Sequence, residues 1–337
     1  MTLYLNTNSV VSPRQEHISS NCKAINNPTT TTFQANEQSC IRSSTAGSKN
    51  NLNTTKITLG MILGIGLLFG ADFVFNHGKI SKSIRNKIHS PMQVSENYVD
   101  NIEQIQQHFS KIFGKNFSKE KANEMALKYK SIMKENDINI LSEKLFDEIK
   151  KDYGLQGVEL KKAGRINLGR NVEGGAMTDQ TATSVTVYLD SIENEVGISP
   201  KESLFEKLCH ELCHARQNRI LYRADKERLI NILANRAPNE LTKDCWNEIL
   251  QHNENNKDMA VSFIKNKLGN LFEQKYSNLD NLPQKSATEI EALFHNKQHY
   301  KHAGTVPFEE YVAQPIEKEA YEISDLAQHL FGFLGIK

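Results

Sequence analysis

The sequence predicts an α+β fold that is mostly helical, and three observations predict it. Apolar residues recur at a helical period through most of the chain after residue 95. Two short segments, 157–162 and 184–189, read as strands of a small sheet. Between them and the C-terminus, a helix with a clear start signal carries two histidines and a glutamate, followed by further amphipathic stretches. The chain has 337 residues, 41 Lys and Arg against 40 Asp and Glu, and a net charge of +1. That balance excludes the basic footprint of a nucleic-acid-binding protein, so function has to come from a local site. Five cysteines in a chain of this length fit a reducing compartment better than a disulfide scaffold.

Residues 1–56 hold 29 Ser, Thr, Asn or Gln and no apolar period, so they read as a disordered polar tail. Residues 57–75 are uncharged until Asp72 and, at about 1.5 Å per residue, would extend about 28 Å as a helix. They read as one transmembrane helix. The pairs Gly60 with Gly64 and Gly66 with Gly70 have the spacing that lets two such helices approach as a homodimer. The basic linker 76–94 is slightly more positive than the flank before the span, which leans toward a single-pass protein with a cytoplasmic C-terminal body. Residues 95–155 read as a helical spacer or subdomain of three helices, and 156–337 as the main domain. Gly-rich sequence around Gly169, Gly174 and Gly175 lacks dinucleotide-binding spacing and reads as a hairpin or loop.

The decisive segment starts at Ser199. Ser199 with Glu202 forms a capping box, Pro200 takes the first helical position, and Leu204, Leu208, Leu212 and Ala215 make an apolar stripe. His210 and His214 then share a second face, with Glu211 between the two faces. Two imidazoles one turn apart can ligate one Zn²⁺, and a Glu beside the first can reach a water on that ion and act as general base. This is peptide-hydrolysis chemistry. Cys209 and Cys213 interleave with the histidines and read as small buried side chains. Their spacing departs from a c-type haem attachment by one residue.

At these residues the chain resembles the zincin metallopeptidases, through His210-Glu211-Leu212-Cys213-His214, the strand-like 184–189 before it and a downstream Glu-Ala pair. Gln217 and Ile220 stand where the metzincin branch has glycine and histidine, so the resemblance is to the glutamate-ligand branch, the gluzincins. It implies a zincin-like catalytic domain at 156–337, with a small sheet and an active-site helix, while the amphipathic stretches at about 225–300 read as a helical insertion. It also implies Glu319 as third metal ligand, followed by Ala320 on a helix that starts at Pro315. Glu291, followed by Ala292, competes with it, and Glu317 and Glu319 are also placed to complement the dipole of that helix. Where gluzincins often carry an acidic residue four positions after the ligand, this chain has Ile323, leaving Glu322 or Asp325 to orient a histidine. His295, His299, Tyr300, His302 and Tyr311 are candidates to stabilise an oxyanion.

The expectation is therefore a membrane-anchored zinc metallopeptidase acting on a peptide or protein substrate and binding no nucleic acid. One catalytic Zn²⁺ would be held by His210, His214 and Glu319, with Glu211 as general base. The competing reading is a membrane-tethered helical interaction protein whose metal is structural or absent.

Overall fold

The computed structural model describes residues 101–164, 175–302 and 305–336. The polar tail, the span at 57–75 with its proposed homodimer contact, and the basic linker lie outside the described residues. Helix α1 spans Asn101–Phe113, α2 Lys119–Ile132 and α3 Ile138–Tyr153. Local chemistry sets their ends. Ser118 Oγ accepts from the Lys121 N–H, Asp137 Oδ1 accepts from Asn139 and Ile140, and Gly154 closes α3 at φ 73°, a left-handed position that glycine occupies without strain.

Strands β1 (Glu159–Ala163), β2 (Ala176–Thr178) and β3 (Ser184–Tyr188) form one sheet in the order β1-β3-β2. β1 is parallel to β3, and β2 pairs antiparallel with it, Met177 opposite Thr186. β2 lies in sequence read as a loop. Three residues carry no period, and only the partner strand and the helix beneath make them a strand. The β2–β3 turn is organised by Asp179, whose carboxylate accepts from Thr181 Oγ1 (2.6 Å), the Thr183 N–H (3.1 Å) and Ser184 Oγ (2.6 Å).

A short α4 (Leu189–Glu193) leads to the long central helix α5, Pro200–Ala224, where Ser199 Oγ accepts from the Glu202 N–H at 3.2 Å. The sequence gives this helix one apolar stripe, yet it is buried on every side from Leu208 to Leu221. α11 (Pro315–Phe333), α3 and β2 all pack on it, so its polar groups must find partners inside. Arg219, fully buried, donates to the carbonyls of Ala182, Ala215 and Gln156 and lies over the Tyr276 ring. Helices α1 to α3, read from the sequence as a spacer or subdomain, share one core with β3, α5 and α11 through Phe109, Tyr129, Ile149, Leu208 and Leu330. The inserted segment forms α6 (Lys226–Glu240), α7 (Lys243–His252), α8 (Lys257–Lys275) and α9 (Ala287–Gln298) around a second core that includes Leu233, Ile264, Phe272 and Phe294. A short α10 (Phe308–Val312) precedes α11.

These observations correct one part of the expected architecture. The chain is mostly helical with a three-stranded sheet, but no helix among the described residues is long and apolar enough to cross a membrane. The longest, α5, carries Lys201, Glu206, Arg216, Arg219 and Arg223 along its length, and α11 carries Glu317, Lys318, Glu319, Glu322 and Asp325. The single-pass architecture, and the cytoplasmic body derived from it, accordingly find no support among the described residues.

Gly157, at φ 68°, joins α3 to the sheet where a Cβ would collide with the backbone carbonyl of Lys275 at the end of α8. Gly157→Ala therefore combines left-handed strain with a clash against immobile backbone, and a loss of about 2 kcal/mol or more is expected in denaturant unfolding.

Candidate metal centre

The site lies where α5, α11 and the edge strand β2 meet. His210 and His214, one turn apart on α5, bring their Nε2 atoms to 3.1 Å. Glu317, in the first turn of α11, places Oε2 at 3.8 Å from His210 Nε2 and Oε1 at 3.7 Å from His214 Nε2. The three ligand atoms lie within 4.8 Å of one another, and all three residues are buried. Ligands about 2.0–2.1 Å from a tetrahedral zinc ion are separated by roughly 3.3 Å, so this spacing fits one ion. Two further features test the fit. Glu317 Oε2 is fully buried with no hydrogen-bond partner among the described residues, a costly arrangement for a carboxylate oxygen unless a cation meets it. The outer nitrogens of both histidines are tied: Nδ1 of His214 to Gln217 Oε1 at 2.9 Å, and Nδ1 of His210 to Ser324 Oγ at 3.0 Å. The amide oxygen only accepts, so the neutral tautomer that makes this bond carries its proton on Nδ1 and turns the Nε2 lone pair toward the site.

Glu211 sits beside this group without joining it. Its Oε2 accepts the Thr178 N–H of β2 at 2.8 Å, and its carbonyl accepts from Thr178 Oγ1 at 2.8 Å. Burial pushes the Glu211 carboxyl above its usual range, against the opposing pull of His214. Register explains the contact with the strand: Gly175 O and Asp179 N bond to β3, so by antiparallel alternation Ala176 and Thr178 turn their backbone groups away from β3, toward the site.

The carboxylate that joins His210 and His214 in the structure is Glu317, and not Glu319 as expected from the sequence. Glu319 points to the opposite flank of α11, where Arg216 Nη2 (3.3 Å), Gln217 Nε2 (3.0 Å) and Lys285 Nζ (3.2 Å) surround it. The two cations, Arg216 first, hold its carboxyl below the ordinary range despite burial. Glu317, taken from sequence only as a dipole partner, faces the two histidines. A signal for it exists in the sequence: Glu317, Tyr321 and Ser324 are spaced four and three apart, so they form one polar line down α11, and Ser324 and Tyr321 both reach His210. Glu319 lies off that line, and its following alanine belongs to the core stripe. Glu291, the other candidate, is an exposed partner of Arg228, held by two bonds of 2.6 Å.

The outer contacts fall to residues the sequence did not single out, Gln217 and Ser324, rather than to Glu322 or Asp325. Of the five oxyanion candidates, Tyr300 supports the ligand instead: its hydroxyl donates to Glu317 Oε1 at 2.7 Å and approaches Tyr311 OH at 3.2 Å. His295 and His299 line a surface groove with Glu291, and His302 lies 3.7 Å from Glu240. Tyr321, absent from those candidates, lines the cleft beside His210 and Glu211, its ring 5.0 Å from that of His210. Cys209 and Cys213 are free and fully buried, and burial pushes the Cys213 thiol up to about 12, which leaves both as inert packing groups.

If the group holds zinc, removing either outer contact should loosen it while leaving His210, His214 and Glu317 in place. Gln217→Ala and Ser324→Ala are each expected to weaken zinc binding roughly 10–100-fold, read by competition with a chelating dye.

No protein-family model matches the chain, and neither the curated proteins nor the solved structures yield a match. The likeness to zincins accordingly rests on the residues of the site themselves.

Proposed function

We propose that the protein is a zinc-dependent peptidase of zincin type, with His210, His214 and Glu317 as ligands and Glu211 as general base. The observation that carries this reading is the convergence of two imidazole Nε2 atoms, whose outer nitrogens are anchored, on a buried carboxylate with an unpartnered oxygen. Zinc held there would act as a Lewis acid and bring the pKa of its water to about 7. Glu211 accepts a proton from the attacking water and returns one to the leaving amine nitrogen. Its raised proton affinity suits a group that must both take and give a proton near neutrality. The Thr178 N–H is held by Glu211, but the backbone of Ala176 and the Thr178 carbonyl also face away from β3, which gives an extended peptide an edge on which to pair. Tyr321 stands in the same cleft, placed to donate to an oxyanion.

The test uses the full chain, expressed in zinc-supplemented medium. Near-stoichiometric zinc and cleavage within a mixed peptide library, both lost on chelation and restored by zinc, are expected. A purified chain without zinc affinity, or a zinc-loaded chain that cleaves no peptide, would overturn the proposal.

A further inference from the structure

Beside the metal centre lies a second group of buried polar atoms that the hydrolytic machinery does not use. A small cavity of about 20 Å³ opens next to His214 and Thr178 and is lined by Asp179, Gln180 and Lys297. Lys297, in the last turn of α9, is 7% exposed, and its ammonium makes no hydrogen bond or ion pair among the described residues. Its own carbonyl is taken by Arg236, whose charge repels it. Gln180 is 2% exposed, and its Nε2 has no partner among the described residues. The nearby carboxylates are committed elsewhere. Asp179 is occupied by the hydroxyls of its turn, Glu240 pairs with Arg236, and Glu317 faces the histidines.

Both Lys297 Nζ and Gln180 Nε2 are donors, and a buried donor without an acceptor is normally eliminated from a stable core. Burial pushes the Lys297 ammonium down to about 8, the mark of a cation desolvated without a contacting counter-charge. The free space holds about one or two waters, the size of a carboxylate head rather than of an apolar side chain. We propose that this cavity is a carboxylate subsite, in which Lys297 and Gln180 donate to a carboxylate of the bound peptide, either an Asp or Glu side chain or the C-terminus. The choice of a peptide as the carrier rests on the peptidase reading, whereas the capture of a carboxylate does not.

The probes are peptide pairs differing in one carboxylate: C-terminal acid against C-terminal amide, and Glu against Gln at each position of an otherwise neutral sequence. Binding is measured by calorimetry on the zinc-loaded full chain carrying Glu211→Gln, so that turnover plays no part. The acidic member of one pair is expected to bind roughly 10- to 100-fold more tightly, as a charge-assisted hydrogen bond in a water-poor cavity allows. A preference in the acid–amide pair assigns the C-terminus, and one in a Glu–Gln pair assigns a side chain. Adding Lys297→Met should bring the preference to near unity, Lys297→Arg should retain most of it, and Gln180→Leu should reduce it. Because a lysine kept for binding is a stability liability, Lys297→Met is also expected to raise the melting temperature by roughly 2–4 °C. No preference in the parent, a preference that survives Lys297→Met, or a fall in melting temperature on Lys297→Met would each overturn the proposal. Should the chain with Glu211 intact cleave nothing while the preference holds, the peptidase reading falls and the carboxylate subsite stands.

Discussion

On the proposed zinc-peptidase reading, Glu317→Ala is expected to abolish zinc binding by the full chain, while Glu319→Ala leaves zinc binding in place and lowers stability instead. The two carboxylates are two residues apart on one helix, but they project to opposite flanks of its core stripe. Glu317 Oε2 and Oε1 stand 3.8 and 3.7 Å from the two histidine nitrogens, and removing this carboxylate leaves only two ligands. The loss should exceed the 10- to 100-fold typical of an outer-shell partner, and metal analysis after gel filtration should find little zinc. Glu319 instead neutralises Arg216, a nearly fully buried guanidinium, and Lys285. Its removal uncovers those charges while Arg216 keeps its bond to the Ile112 carbonyl and its place over Tyr153, so a loss of about 1–3 kcal/mol is expected in denaturant unfolding. Equal zinc retention by both variants, or zinc loss on Glu319→Ala alone, would reverse the assignment of the third ligand.

Glu211→Gln should separate metal binding from chemistry. The amide keeps an oxygen to accept the Thr178 N–H and nearly the same volume, so fold and zinc content should be those of the parent. It cannot take a proton at neutral pH. Peptide cleavage should fall by about 10²–10⁴, the range a positioned acid–base group supplies. The effect belongs in kcat, measured on any peptide cleaved by the parent chain. A rate within a few-fold of the parent would remove Glu211 from the mechanism and leave its bond to β2 as its whole role.

Much of the site can be read along one helix. Ser199 and Pro200 set the start of α5, and from there the period of 3.6 residues places His210 and His214 together whatever packs around them. The strand at 184–188 and the inserted helices within 225–278 likewise show their own periodicity. The third ligand depends on a different kind of information. Its residue is about 100 positions away, and two glutamates in one helical turn differ only in which flank of α11 meets α5. That choice follows from the partners each flank meets: Arg216, Gln217 and Lys285 on one side, and Tyr300 with the two histidines on the other. The β2 strand shows the same limit. Three residues become a strand because β3 offers hydrogen-bond partners and α5 a surface, and neither is visible in Ala176-Met177-Thr178.

The sequence by itself determined the pair of imidazoles, the carboxylate between the helix faces and the helical nature of the chain, because these are fixed by spacing within a single element. Tertiary structure alone decided which carboxylate meets the two imidazoles, the outer contacts of Gln217 and Ser324, the open edge of β2 and the unpartnered donors Lys297 and Gln180. Each of these depends on which faces of distant elements meet, and on which buried polar groups that meeting leaves satisfied or bare.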